Sequence, residues 1–121
     1  MKTTELGLRG ESLAAEHLES EGYAIVARNF RCRMGEIDLI TRRGDELVFT
    51  EVKLRKNAFF GEAREFVTAA KQRKLRMTAE YFLAARPWAQ ELRARFDVIE
   101  VYAPQGAEGD CSICHLENAF E

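Results

Sequence analysis

Residues 35–55, GEIDLITRRGDELVFTEVKLR, constrain the fold of this chain more than any other stretch. Two runs rich in Ile, Leu, Val and Phe flank Gly44-Asp45, the pattern of two strands joined by a tight hairpin. Such strands are apolar enough to be core, yet Asp38, Glu51 and Lys53 lie inside them. An unpaired charge in a core costs several kcal/mol, so these residues need partners. The segment is therefore either a structural ion-pair cluster or a functional site.

Strand side chains alternate between faces, which puts Glu51 and Lys53 on one side and Val52 and Leu54 on the other. On the preceding strand Glu36, Asp38 and Ile40 share a face, and Ile37 and Leu39 share the opposite one. A hairpin at Gly44 then carries Asp38 to within a few ångströms of Glu51. Two carboxylates that close repel, and one pKa rises unless a cation sits between them. Oxygen ligands of this kind suit Mg²⁺ or Mn²⁺, which are held by one or two carboxylates plus waters and phosphate oxygens. Lys53 is placed to orient a water or to stabilise charge developing on a phosphate. A lone Asp-Lys bridge within a sheet contributes little, so the D-x₁₂-E-x-K spacing favours function over structure.

The rest of the chain supplies elements to cover such a hairpin. A first helix is expected from Thr3 or Thr4 to Glu21, with Gly22 as its left-handed stop. YAIVARNFRC reads as a strand ahead of GEIDLITR and ELVFTEVKLR. After the loop KNAFFGEAREF, a second helix runs from an N-cap at Thr68 to about Ala85, ahead of Pro87. Its inward stripe is Leu75, Ala79, Phe82 and Leu83. A helical turn at PWAQEL, a strand at RFDVIEVY and a short terminal segment, SICHLENAF, complete the order. The sequence α-β-β-β-α-β-(β) predicts an α/β sandwich with a mixed central sheet flanked by helices. At 121 residues one domain over 1–121 is expected, with 105–121 as a tail.

Charge is unevenly spread. Residues 28–76 hold 13 of the 18 Lys and Arg but 7 of the 20 Asp and Glu, a local balance of +6, against −8 for the remainder. That asymmetry is what a phosphate-binding face leaves on an otherwise acidic protein, although a merely solvated basic surface looks the same. Arg31, Arg33, Arg42, Arg43, Arg55, Lys56, Lys71, Arg73 and Lys74 are the candidate phosphate contacts. No apolar run approaches the ~20 residues of a membrane span, and the acidic N-terminal stretch is unlike a secretory signal. A cytoplasmic protein with reduced cysteines is expected.

Residues outside the hairpin offer further candidates. Glu11 borders the packed face of the first helix, with Gly7 and Gly10 allowing a close approach, but taken singly the solvated early-helix acid favoured by the dipole is the preferred reading. Gln72 borders the inward stripe of the second helix, or is a surface amide. CSICH at 111–115 has haem-attachment spacing, but that needs export, and zinc needs a second Cys pair. Its apolar residues suit an edge strand better. His17 reads as a packing or surface residue on the first helix. Trp88 reads as a cap or core residue, and Phe59-Phe60 could stack on unpaired bases.

The pattern of an Asp followed by E-x-K on adjoining strands resembles the PD-(D/E)XK nuclease superfamily, the fold of many restriction enzymes and archaeal Holliday-junction resolvases. Four stretches are similar to its YraN-type branch of uncharacterised small bacterial proteins: GLRGESLAAEHLESEGYAIVARNFR, GEIDLI, LVFTEVKLR and RFDVIEV, with a closing HLENAF. The resemblance implies a restriction-endonuclease-like fold and a Mg²⁺- or Mn²⁺-dependent phosphodiesterase site. Asp38 and Glu51 would be the metal carboxylates, the Val52 carbonyl a further ligand and Lys53 the catalytic lysine. Glu11 would match the helix-1 acid of resolvase-like members, and Gln72 the helix glutamine of some branches. Ile37 stands where the superfamily's proline often does, which leaves the ligand set intact. The expected substrate is nucleic acid, DNA ahead of others, branched or single-stranded; resolvase-like relatives suggest a homodimer. The rival expectations are a non-catalytic nucleic-acid-binding module that keeps the fold, and a structural or partner-binding protein with a coincidental ion-pair cluster.

Overall fold

In the computed structural model, which describes residues 5–55, 67–104, 106 and 109–120, the first helix is α1, Glu5–Ser20. Ala14, Ala15 and Leu18 form its buried stripe at helical spacing. It stops where the sequence places a left-handed glycine. Gly22 has φ +91°, Gly22 N–H donates to Glu19 O, and Tyr23 N–H donates to Leu18 O at 3.0 Å. These bonds satisfy carbonyls the helix end would leave orphaned.

Three antiparallel strands follow: β1, Ala24–Cys32; β2, Gly35–Arg43; and β3, Glu46–Arg55. The β2–β3 turn is Gly44-Asp45, with Gly44 at φ +63°, as the hairpin pattern requires. The helix α2, Ala69–Ala84, then crosses over so that β4, Arg93–Tyr102, runs parallel to β3. Thr68 Oγ1 caps α2 by accepting from Lys71 N–H, and a 3₁₀ turn at Pro87–Ala89 follows it. The closing segment is a nine-residue strand, β5 (Ser112–Phe120), antiparallel to β4. The sheet order is β1-β2-β3-β4-β5. This is the mixed-sheet α/β arrangement of a restriction-endonuclease-like fold.

Each helix covers its own core. Leu75, Ala79 and Phe82 of α2 pack on Ile40, Leu47, Phe49 and Val98, with Phe30, Phe82, Phe49, Phe96 and Phe120 in successive ring contacts. Ala14, Ala15 and Leu18 of α1 pack on Leu39, Val48, Ile99 and Val101. Gly10 lets α1 close onto β3, because a Cβ there would stand 2.8 Å from Leu54 Cδ2. Among the described residues no helix is long and apolar enough to cross a membrane.

One strand departs from simple alternation. Ile37 and Leu39 should share a face, but Ile37 joins Ile40 in the cluster under α2 while Leu39 joins the cluster under α1. The break falls at Asp38. The β2–β3 ladder runs only from Arg43–Glu46 to Leu39–Thr50, so beyond Leu39 the backbone of β2 is paired with β1 alone. On the other side β1 carries Asn29 at φ +51°, between the pairs Arg28–Leu39 and Phe30–Ile37. A left-handed residue re-aims a strand much as a bulge does. The twist that frees Asp38 from the pleat is thus written into both strands at one level.

Candidate functional site

Where β2 and β3 part, they leave an open cavity of about 480 Å³ between the N-terminal parts of α1 and α2. From α1 it receives Gly7 and Glu11; from β2, Gly35, Glu36 and Asp38; from β3, Glu51, Val52 and Leu54; from α2, Lys71, Lys74 and Leu75. Four carboxylates and two lysines therefore face one space. The apolar floor is contributed by Leu54 and Leu75.

Asp38 is held by a short contact from β3: its Oδ2 accepts from Val52 N–H at 2.8 Å. That bond favours the ionised form, but burial first and the Glu51 charge second push the Asp38 carboxyl up to about 7, and Glu11 and Glu36 push the same way. Glu51 is 7% exposed, and its Oε2 meets two ammonium groups, Lys71 Nζ at 2.8 Å and Lys53 Nζ at 3.6 Å. Burial works to lower the Lys71 pKa, yet the hydrogen bond and charge of Glu51, helped by Asp38 and Glu36, raise it on balance. Glu11 and Glu36 are joined through Asn29. Its amide nitrogen, oriented to donate, lies 3.3 Å from Glu11 Oε1 and 3.2 Å from Glu36 Oε2.

This donor set is all oxygen and holds more carboxylates than lysines, which fits a hard divalent cation. Asp38 and Glu51 are the pair that would hold it, with the Val52 carbonyl. Among the described residues no three His, Cys, Asp or Glu side chains gather as metal ligands, so water and substrate oxygens would complete the shell.

The sequence-predicted residues divide into those at the cavity and those away from it. Asp38, Glu51, Val52, Glu11, Lys71 and Lys74 line it, and Lys53 reaches it through Glu51. Gln72 turns away, its Nε2 donating to Val67 O at 3.0 Å. Arg31 pairs with Glu36 at 3.3 Å, on the rim, and Arg33 and Arg73 are exposed. Arg55 pairs with Glu100 on β4 at 2.8 Å. Arg42 and Arg43 lie at the opposite end of β2, bonded to Gly44 O and Glu21 O, with Arg43 also over the Tyr23 ring at 4.3 Å. Lys56 and Phe59-Phe60 lie outside the described residues. Trp88 is half exposed and edges against Phe82.

Three features escaped the sequence reading. Lys71 was legible only as one basic residue among many, although it makes the shorter contact to Glu51. Asn29 gave no signal beyond being an Asn, the type that tolerates left-handed backbone. The third is a polar cluster on the α1 side, around Asp97 of β4. Asp97 accepts two hydrogen bonds from Arg95 at 2.9 Å and one from Asn118 N–H at 2.9 Å, and its Oδ2 lies 2.7 Å from His115 Nε2. Arg95 in turn bonds Glu46 at 3.0 Å and the Tyr23 hydroxyl. This cluster pins the irregular β4–β5 register, where Asn118 stands at φ +53°. It also separates the members of CSICH: His115 is bound to Asp97 while the neighbouring Cys114 is exposed.

The family described as "Uncharacterised protein family UPF0102" matches residues 10–101, which spans α1 to β4. A UPF0102 protein of Caldicellulosiruptor saccharolyticus is 48% identical over 102 residues, covering 84% of this chain and 86% of its own. The UPF0102 protein STH1475 of Symbiobacterium thermophilum is 47% identical over 115 residues, covering 95% of each. The matched span contains all the cavity-lining residues but Gly7, and the protein belongs to the uncharacterised family UPF0102, the YraN-type family.

Proposed function

We propose that the protein is a Mg²⁺- or Mn²⁺-dependent endonuclease that hydrolyses nucleic-acid phosphodiesters, DNA in preference, in branched or single-stranded form. One observation carries this reading: Asp38, half-buried beside the buried Glu51 in an open cavity that also holds Lys71 and Lys74, has its carboxyl pushed up to about 7. A carboxylate pair that crowded calls for a cation, and lysines on the same walls suit a phosphate. The divalent ion, when bound, supplies Lewis-acid charge and lowers the pKa of an attacking water. The protein's own residues do the rest. Asp38 is oriented by the Val52 amide, Glu51 presents its carboxylate from β3, and Lys53 and Lys74 offset charge as it grows on the phosphate. Water's oxygen forms the new bond to phosphorus, and the sugar oxygen leaves with a proton.

Incubating the protein with linear, single-stranded and four-way-junction DNA and Mg²⁺ or Mn²⁺, beside Asp38→Ala and Lys53→Ala, tests this reading. Cleavage by the parent and its loss in both variants is expected. Cleavage that persists in both variants comes from elsewhere and removes the assignment. A second reading, a binding module without catalysis, is favoured by the pairing of Glu51 with Lys71 at 2.8 Å and Lys53 at 3.6 Å, which neutralises the carboxylate without a metal. Salt-dependent DNA binding without cleavage under every metal would establish it instead.

A further inference from the structure

The Glu51 carboxylate is already occupied by cations, and they are not equivalent. Lys53 sits two residues along the same strand, 3.6 Å from Oε2, so its position is fixed by β3 itself. Lys71 reaches the same oxygen from another element, at 2.8 Å, and is the better hydrogen bond. Its root is firm, because its own backbone N–H is held by the Thr68 cap at the start of α2. Its arm is four flexible carbons ending in a half-exposed ammonium on the cavity wall. An ammonium in contact with a carboxylate oxygen and a divalent ion bound to that carboxylate compete for one place.

We propose that Lys71 is a tethered counter-ion for Glu51, that a divalent cation displaces it, and that the freed ammonium then contacts the substrate phosphate from the wall it shares with Lys74. The proposal rests on the nuclease reading of the cavity. It assigns Lys71 two opposing effects: it weakens metal binding in the free protein and strengthens nucleic-acid binding in the metal-loaded one. A lysine with only a structural role would do neither. A plain phosphate contact such as Lys74 would do the second alone. Lys71 thus couples the order of events, since the phosphate-binding arm is released only when the metal arrives.

Mn²⁺ binding to the full-length protein without nucleic acid, measured by calorimetry or by the loss of free-Mn²⁺ paramagnetic resonance, separates these roles. Lys71→Met is expected to bind Mn²⁺ about tenfold more tightly than the parent, within the usual range of coupling between two competing ligands. Lys71→Arg keeps the pair and should stay near the parent, and Lys74→Met should change little. Thermal unfolding of Lys71→Met and Lys71→Arg checks that both variants fold as the parent does. The second arm is a short single-stranded DNA oligonucleotide titrated in Ca²⁺, where Lys71→Met should bind more weakly and lose about one unit of the salt slope. Mn²⁺ binding that is equal to or weaker than the parent's in Lys71→Met overturns the proposal while leaving the metal site standing. Unchanged oligonucleotide affinity and slope overturn the phosphate role. No Mn²⁺ binding by the parent or any variant overturns this proposal and the nuclease reading together.

Discussion

Asp38 Oδ2 accepts from the Val52 backbone N–H at 2.8 Å, one step past the last β2–β3 ladder pair, Leu39–Thr50. The side chain thus ties the two strands where their backbones have parted. The contact favours the ionised carboxyl, but burial first and the nearby Glu51 charge second outweigh it and push the Asp38 carboxyl up to about 7. Burial and the carboxylate's own charge oppose each other at this residue, and pH exposes the conflict.

In the unfolded chain an aspartate titrates near about pH 4. Between about pH 4 and about pH 7 the unfolded state therefore releases a proton that the folded state keeps. Stability attributable to Asp38 falls as pH rises through that window and levels off above it. Asp38→Asn keeps an acceptor for Val52 and removes the charge. It is expected to be about 1–3 kcal/mol more stable than the parent at about pH 8, and equal at about pH 4. Denaturant unfolding at the two pH values measures this. A variant less stable than the parent at the higher pH contradicts the crowding of Asp38.

The Asp97 cluster titrates the other way. Burial alone would raise its carboxyl, but hydrogen bonds from His115, Arg95 and the Asn118 amide outweigh that and lower it. A depressed folded-state pKa contributes stability that is complete above the unfolded value and is lost as pH falls through the folded one. The loss belongs below about pH 4. Asp97→Ala leaves the mostly buried Arg95 with Glu46 at 3.0 Å and the exposed Glu117 at 3.8 Å, and frees the Asn118 bulge. A cost of about 3–5 kcal/mol is expected, as for other broken buried pairs. Chemical unfolding at neutral pH gives the number, and a loss under about 1 kcal/mol would show that Asp97 does not pin β5.

How much of this could be read beforehand differs between the two faces of the sheet. The hairpin, the caps at Gly22 and Thr68 and the order of elements follow from local rules, in which a turn or a stop depends on a few adjacent residues. Asp38 and Glu51 were legible because charge inside an apolar strand is conspicuous. Lys71 was not, because its partner lies twenty positions away on β3 and a lysine in a basic segment carries no mark of its own. Asp97 within RFDVIEVY reads like Asp38 within GEIDLI, yet it joins a closed structural network. The difference is made by β5 and His115, which only the folded sheet brings alongside. Likewise the break in alternation at Asp38 depends on Asn29 of another strand.

Asn29 ought then to behave as a positioning residue. Its φ of +51° costs an alanine about 1–2 kcal/mol, whereas glycine adopts it freely. Glycine still forfeits the amide between Glu11 and Glu36. The expected order of unfolding midpoints is Asn, then Gly, then Ala. Asn29→Asp adds a negative charge between two others and should be less stable at about pH 8 than at about pH 5, relative to the parent. An alanine variant as stable as the parent would mean that the strand accepts an ordinary backbone here and that Asn29 aims nothing.

The basic residues give the last prediction, because the fold divides what the sequence groups together. Arg43 is five residues along β2 from Asp38, roughly 17 Å at strand rise, and its guanidinium is spent on Glu21 O and the Tyr23 ring. Arg42 bonds the turn at Gly44. Lys74 lines the cavity and Arg33 is exposed at the β1–β2 turn, near the start of β2. On the proposed nuclease reading, a strand of nucleic acid seated on the cavity would meet Lys74 and Arg33 before the hairpin pair. Replacing Lys74 and Arg33 by alanine should weaken DNA binding and flatten its salt dependence by about two units, one per lost phosphate contact. Replacing Arg42 and Arg43 should leave the slope within about half a unit and lower stability instead, as the Glu21 and Tyr23 contacts are lost. Fluorescence anisotropy across a salt series reads both. A larger slope change from the hairpin pair would move the nucleic-acid path to the other end of the sheet and away from Asp38 and Glu51.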